Sequence, residues 1–282
     1  MWDFEHAPHK AILAERYQIH YTQPALCADE LLSGRADLGL IPIAALTPEL
    51  AIVPGCTIAS LDRVRSIQLI VKLPRGASAS TDAERTPAEI DRILATVRTI
   101  AADTASRSSL AYTQILFRRF LSTDPAFLPH RADPAAMLAQ ADAALLIGDP
   151  ALLALEARQQ IEAVAGPCLW IDIAHTWRAR TGLPWVAAVW AVRPQALEAI
   201  SYPSACLIHD LQTSRDRGLT HIEDLVSEWS PRIAIPRQTI RHYLTRNIDY
   251  ILTPECLETI RLFRTYAAES GILPPLAPLR LL

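Results

Sequence analysis

Between Val97 and Leu121 the chain hands a strand over to a helix through a run of small and hydroxyl residues, and this handover limits the possible folds more than any other stretch. An apolar run, Val97–Ala102, leads in; Asp103-Thr104-Ala105-Ser106-Arg107-Ser108-Ser109 follows; a helical period over Leu110–Leu121 leads out. Strand–turn–helix order of this kind belongs to α/β architectures. A helix start favours an anion, through its dipole and its first-turn N–H groups. Arg107 adds a planar fork that can hold a carboxylate through two bonds. On spacing alone a cap by Ser106 or Ser108, with Arg107 solvated, accounts for the same pattern more simply, and both readings stay open here.

The rest of the chain repeats the alternation. A helix near Pro8–Glu15, a strand over Tyr17–Thr22, a helix over Ala25–Leu32 and a strand over Asp37–Pro42 read as an α/β unit with a parallel sheet. Gly34 sits where a helix C-terminal glycine belongs, and Leu38-Gly39-Leu40-Ile41 reads as a strand buried on both faces. Strands follow over Ala51–Ser60 and Ser66–Val71, and Pro74–Pro87 reads as a surface loop. Thr86, Pro87 and Glu89 are helix-start chemistry. After the handover come strands at Phe127–Pro129, Ala143–Ile147, Cys168–Asp172 and Val186–Val192, with helices over Pro134–Gln140, Ala151–Gln160 and His175–Arg180 between them. The remainder is helical by period, its last member running over Pro254–Ser270. Two α/β lobes are the simplest architecture. Residues 1–65 with 195–282 form lobe I and residues 66–194 form lobe II, and a ligand is expected in the cleft between them.

Half of the 282 residues are hydrophobic, enough for one large core or two modest ones, and the net charge of −3 gives no reason to expect nucleic acid or an anionic membrane. Cys27, Cys56, Cys168, Cys206 and Cys256 are scattered and form no CxxC pair, which argues for a reduced, cytoplasmic protein without a zinc site or disulfide framework. Asp3 and Glu5 stand where a signal peptide needs basic and apolar segments. No Walker loop, GxGxxG, HExxH, GxSxG or EF-hand pattern occurs. Gly148-Asp149 at a strand end is a candidate ligand-facing turn and equally ordinary turn chemistry. Ser60 and Ser66 read as structural hydroxyls, and Asp172 three residues before His175 reads as a helix cap before it reads as an acid–base pair.

Five segments, in order, resemble the chorismate dehydratase family of the futalosine route to menaquinone. They are Ala36–Pro42, Val64-Arg65-Ser66, Asp103–Ser109, Ala141–Asp149 and Trp177–Val186. The resemblance implies a type 2 periplasmic-binding-protein-like fold that has become a cytoplasmic enzyme. It implies removal of water from chorismate, giving 3-[(1-carboxyvinyl)oxy]benzoate with no cofactor, no metal, no nucleic acid and no membrane. Carried over position by position, Ser106, Arg107, Ser108 and Ser109 form an anion cradle, while Pro42, Ile43, Ser66, Gly148 and Asp149 line the remaining cleft. The catalytic base is not identified by the matched motifs, and a substrate carboxylate is the candidate.

The rivals are the sister enzyme 1,4-dihydroxy-6-naphthoate synthase and a non-catalytic solute-binding protein for a small carboxylate. The Ser-Arg-Ser-Ser helix start favours the dehydratase over the sister, which typically carries a threonine-rich turn there. The family begins with a short strand and an asparagine-bearing loop ahead of the segment matched by Met1-Trp2-Asp3-Phe4. This chain has no counterpart, so the expectation is a truncated start and a nearly inactive, less stable form.

Overall fold

The computed structural model describes residues 1–74, 85–103, 107–275 and 278–282. Its strands are β1 (Leu38–Pro42), β2 (Ala51–Ser60), β3 (Ile67–Lys72), β4 (Thr99–Asp103), β5 (Ala126–His130), β6 (Ala143–Ile147), β7 (Cys168–Asp172) and β8 (Trp185–Val192). Contacts divide the chain into two compact units. Unit 1 takes Met1–Ala59, Val186–Arg261 and Leu276–Leu282; unit 2 takes Ser60–Trp185 and Leu262–Pro275. Relative to the division drawn from the sequence, residues 60–65 and 262–275 go with unit 2 and β8 goes almost wholly with unit 1.

Unit 1 is built on a three-stranded sheet in the order β1-β8-β2. The long excursion from β2 to β8 returns the chain in the opposite direction, so β1 pairs β8 antiparallel, with Leu38 facing Val192 and Ile41 facing Val189. The parallel sheet expected for this part does not form. β8 is the central strand, and Val186, Val189, Ala191 and Val192 have no exposed surface. The helix Pro24–Leu32 packs close to β1. A side chain at Gly39 would put its Cβ 2.7 Å from the Cys27 sulfur, so a larger residue there fits only if the Cys27 side chain shifts. The outer edge of β2 is covered by Asp249, which bridges Ala59, and by Leu281, which bridges Ile52.

Tyr17–Thr22 is not a strand. Its alternation is strand-like, but among the described residues β1 pairs only β8, and a lone extended segment gains no ladder bonds. Residues 18–22 are exposed. Tyr17 serves tertiary packing instead: its ring lies edge-on to Phe4 at 5.2 Å and its hydroxyl donates to Asp210 at 2.8 Å.

Unit 2 is built on a five-stranded sheet in the order β5-β4-β6-β3-β7. β4 pairs β5 and β6 in parallel, and β3 is antiparallel to both β6 and β7. β5 carries Pro129, which is tolerated because the strand lies at the sheet edge. One face of the sheet contributes Ile70, Ala101, Ala144, Leu146 and Trp170 to a buried cluster with Met137 and Leu138 from the helix Pro134–Gln140. A second, aromatic cluster centres on Tyr112, whose ring sits 4.9 Å from Trp177, 5.7 Å from Trp185 and 4.4 Å from Phe263. The helix Pro87–Leu94 opens on the expected capping box: Glu89 N–H donates to the Thr86 hydroxyl at 3.3 Å and Thr86 N–H to the Glu89 carboxylate at 2.8 Å. No described helix is long and apolar enough to cross a membrane.

Candidate active site

The sheet of unit 2 decides where its chemistry can gather. β4, β5 and β6 run parallel, and β7, antiparallel to the same strand as β6, runs with them. Their carboxyl ends therefore share one edge, where open α/β sheets bind ligands. Along it lie His130, Asp103, Gly148 after β6, Ser66 before β3, and Asp172. Three helices start from this edge: Arg107–Ile115, Asp149–Glu156 and Ile173–Thr181.

The two described ends of the handover, Asp103 and Arg107, close β4 and open the next helix. Arg107 opens its helix and is exposed, whereas Ser108 and Ser109 are each only 1% exposed. The Ser109 carbonyl accepts from the Thr113 hydroxyl at 2.8 Å. Ser106 lies outside the described residues. Ser66 is buried, and its carbonyl accepts from the Gly148 N–H at 2.7 Å, so these two candidates are brought into direct contact. Gly148 has φ 71° and ψ −144°, a conformation essentially closed to other residues, and caps the next helix. Asp149 follows it, partly exposed at the surface, with its carboxyl held above the ordinary value by the bulk of protein around it. Pro42 and Ile43 belong to unit 1, where β1 passes into a single 3-10 turn, and both are buried.

A carboxylate that the sequence presents only as a cap organises this edge. Asp172 does cap its helix, accepting from His175 N–H at 3.1 Å. It also accepts from Arg65 N–H at 2.7 Å, Val64 N–H at 3.4 Å and the Gln68 side-chain amide at 3.4 Å. Burial pushes its carboxyl up, and the N–H groups of Arg65, His175 and Val64 oppose that. Next to it, the His175 ring and Asp62 meet at 2.5 Å. The first turn of one helix thus pins the whole entry to β3. Arg65 within that entry has φ +62°, which no sequence signal announces because glycine is the usual occupant.

Two mixed α/β units of this kind define the class: the periplasmic-binding-protein-like fold. A protein from Archaeoglobus fulgidus superposes with TM-score 0.61 at 13% identity, covering 94% of this chain and 92% of that one. The periplasmic aliphatic sulphonate binding protein of Escherichia coli gives 0.60 at 13% identity, covering 97% and 87%. Within that class the chain belongs to the menaquinone biosynthesis family, whose sequence profile matches residues 2–269. A curated relative, the chorismate dehydratase of Thermus thermophilus, is 25% identical over 282 residues, covering 96% of this chain and 92% of that protein.

Proposed function

We propose that this chain is a chorismate dehydratase, a hydro-lyase that eliminates water from chorismate to give 3-[(1-carboxyvinyl)oxy]benzoate. The observation that carries the reading is the Arg107-Ser108-Ser109 helix start that follows β4, in a member of the menaquinone biosynthesis family. Loss of the ring C3 proton and the C4 hydroxyl aromatises the ring, so the reaction runs downhill and needs positioning more than activation. The substrate carries two carboxylates. One is held at the start of the helix Arg107–Ile115, by the helix dipole and by Arg107. Ser66, Gly148 and Asp149 line the same edge.

The remaining needs are an oriented leaving hydroxyl and a base. We place the base on a substrate carboxylate, held beside the ring by the contacts that bind it. Asp149, partly exposed at the same edge, is the protein carboxylate that competes for the role, and the rate of Asp149→Asn decides between them. We place the enzyme in the cytoplasm, as suits a step in biosynthesis. The test is incubation of the folded protein with chorismate, following the aromatic enol ether by absorbance and mass. Absence of that product would overturn the reading.

A further inference from the structure

The arginines of this chain are mostly spoken for. Arg16 pairs with Asp210, Arg118 with Asp124, Arg119 with Glu269, Arg193 with Asp37, Arg217 with Asp3 and Arg241 with Glu223. Arg65 is different. Among the described residues its guanidinium has no hydrogen bond and no ion pair, and its Nε is buried without a partner. A buried guanidinium N–H left unmatched is unfavourable, and an anion would match it.

The backbone at Arg65 tells the same story. A left-handed conformation is strained for a residue with a Cβ and persists only where the surroundings impose it. Here they do so on both sides: Asp172 accepts the Arg65 N–H at 2.7 Å, and the Gln68 amide donates to the Arg65 carbonyl at 3.1 Å. Asp172 and Gln68 are 6% and 4% exposed, so the clamp itself is fixed in the core. A glycine would satisfy the backbone with no strain, yet the position carries a cation.

Its place in the sheet shows what the cation is for. Arg65 precedes β3, and β6 separates β3 from β4, whose carboxyl end leads to Arg107. The amino end of β3 and the carboxyl end of β4 therefore lie about 10 Å apart along one edge, two inter-strand spacings. We propose that Arg65 binds the second carboxylate of the substrate, the first being held at the start of the helix Arg107–Ile115. The proposal rests on the dehydratase reading for the identity of the dicarboxylate.

The test uses Arg65→Gly and Arg65→Lys in the full chain, with the product 3-[(1-carboxyvinyl)oxy]benzoate as dicarboxylate probe and benzoate as monocarboxylate probe. Arg65→Gly should melt no lower than wild type, because glycine accepts the left-handed turn. It should bind the dicarboxylate at least tenfold more weakly while benzoate affinity moves less than twofold. Arg65→Lys should recover part of the loss. With chorismate, KM should rise tenfold or more in Arg65→Gly with a smaller change in kcat, as expected for contacts kept from ground state to transition state. Unchanged dicarboxylate affinity in Arg65→Gly, or equal loss for both probes, overturns the role of Arg65. Failure of wild type to turn over chorismate overturns the dehydratase reading instead, and failure of a wild type that turns over chorismate to bind the dicarboxylate overturns the role of Arg65 alone.

Discussion

Replacing Asp172 by Ala removes an acceptor from four donors at once, and each loss can be valued. The helix Ile173–Thr181 loses its N-cap bond to His175 N–H, a loss of about 1 kcal/mol. The Val64 N–H is left unmatched and the Gln68 amide keeps only its bond to the Arg65 carbonyl, on residues 1% and 4% exposed. Their bonds are long, so the low end of the usual range applies, about 1 kcal/mol each. The Arg65 N–H loses the shortest bond but sits on a partly exposed residue that water can reach, which again gives about 1 kcal/mol. The total is about 4 kcal/mol, and at roughly 2–4 °C per kcal/mol for a chain of this size the melting temperature should fall by about 8–16 °C. Asp172→Asn keeps the shape and one acceptor oxygen and should lose about half as much. The assay is calorimetric melting of the three proteins under identical buffer. If Asp172→Ala melts within about 3 °C of wild type, the entry to β3 finds other partners and the reasoning fails.

Arg107→Ala should weaken chorismate binding by about 1.5–3 kcal/mol, the scale of a hydrogen bond to a charged group, and calorimetry that finds unchanged affinity would remove Arg107 from the site. Asp142 gives a pH test. Burial pushes its carboxyl up, but the N–H groups of Arg98 and Thr99 at 2.9 and 3.0 Å, with the Thr99 hydroxyl, outweigh that and hold it below its ordinary value. A depressed folded-state value adds stability above the unfolded-state value and loses it as pH falls through the folded one. The urea midpoint of wild type should therefore exceed that of Asp142→Asn at neutral pH, with the gap closing below about pH 4; a constant gap would contradict the assignment.

The parts of this fold that local chemistry specifies are legible in the residues themselves. β4, the helix that opens at Arg107, the Thr86–Glu89 capping box, Gly148 at a strand end and the helix Pro254–Glu269 all stand where the pattern of side chains puts them. What pattern misses depends on partners distant in sequence. The alternation at Tyr17–Thr22 looks like a strand, but a strand needs a neighbour and none of the described residues supplies one. β1 reads as buried and largely is, yet its antiparallel partner β8 comes from far along the chain. At the candidate site, Arg107 is legible as part of a helix start and Asp149 as part of a turn at a strand end, though in the structure Asp149 already opens the helix Asp149–Glu156. The clamp on Arg65 is not, because it joins Asp172 to a turn whose left-handed arginine carries no mark in the sequence.

The position of β8 also has a consequence for the order of events during synthesis. β1 and β2 do not pair with each other; each waits for β8 to come between them. The chain between Ser60 and Trp185, most of unit 2, must be translated first. At about 5–20 residues per second the two waiting strands stand open for roughly 6–25 s, long compared with collapse or hairpin formation. During that interval unit 2 can assemble nearly all of itself, while the apolar faces of β1 and β2 are bare. A nascent chain whose β8 is still inside the ribosomal tunnel should have the sheet of its second unit paired and a first unit that binds holdase chaperones.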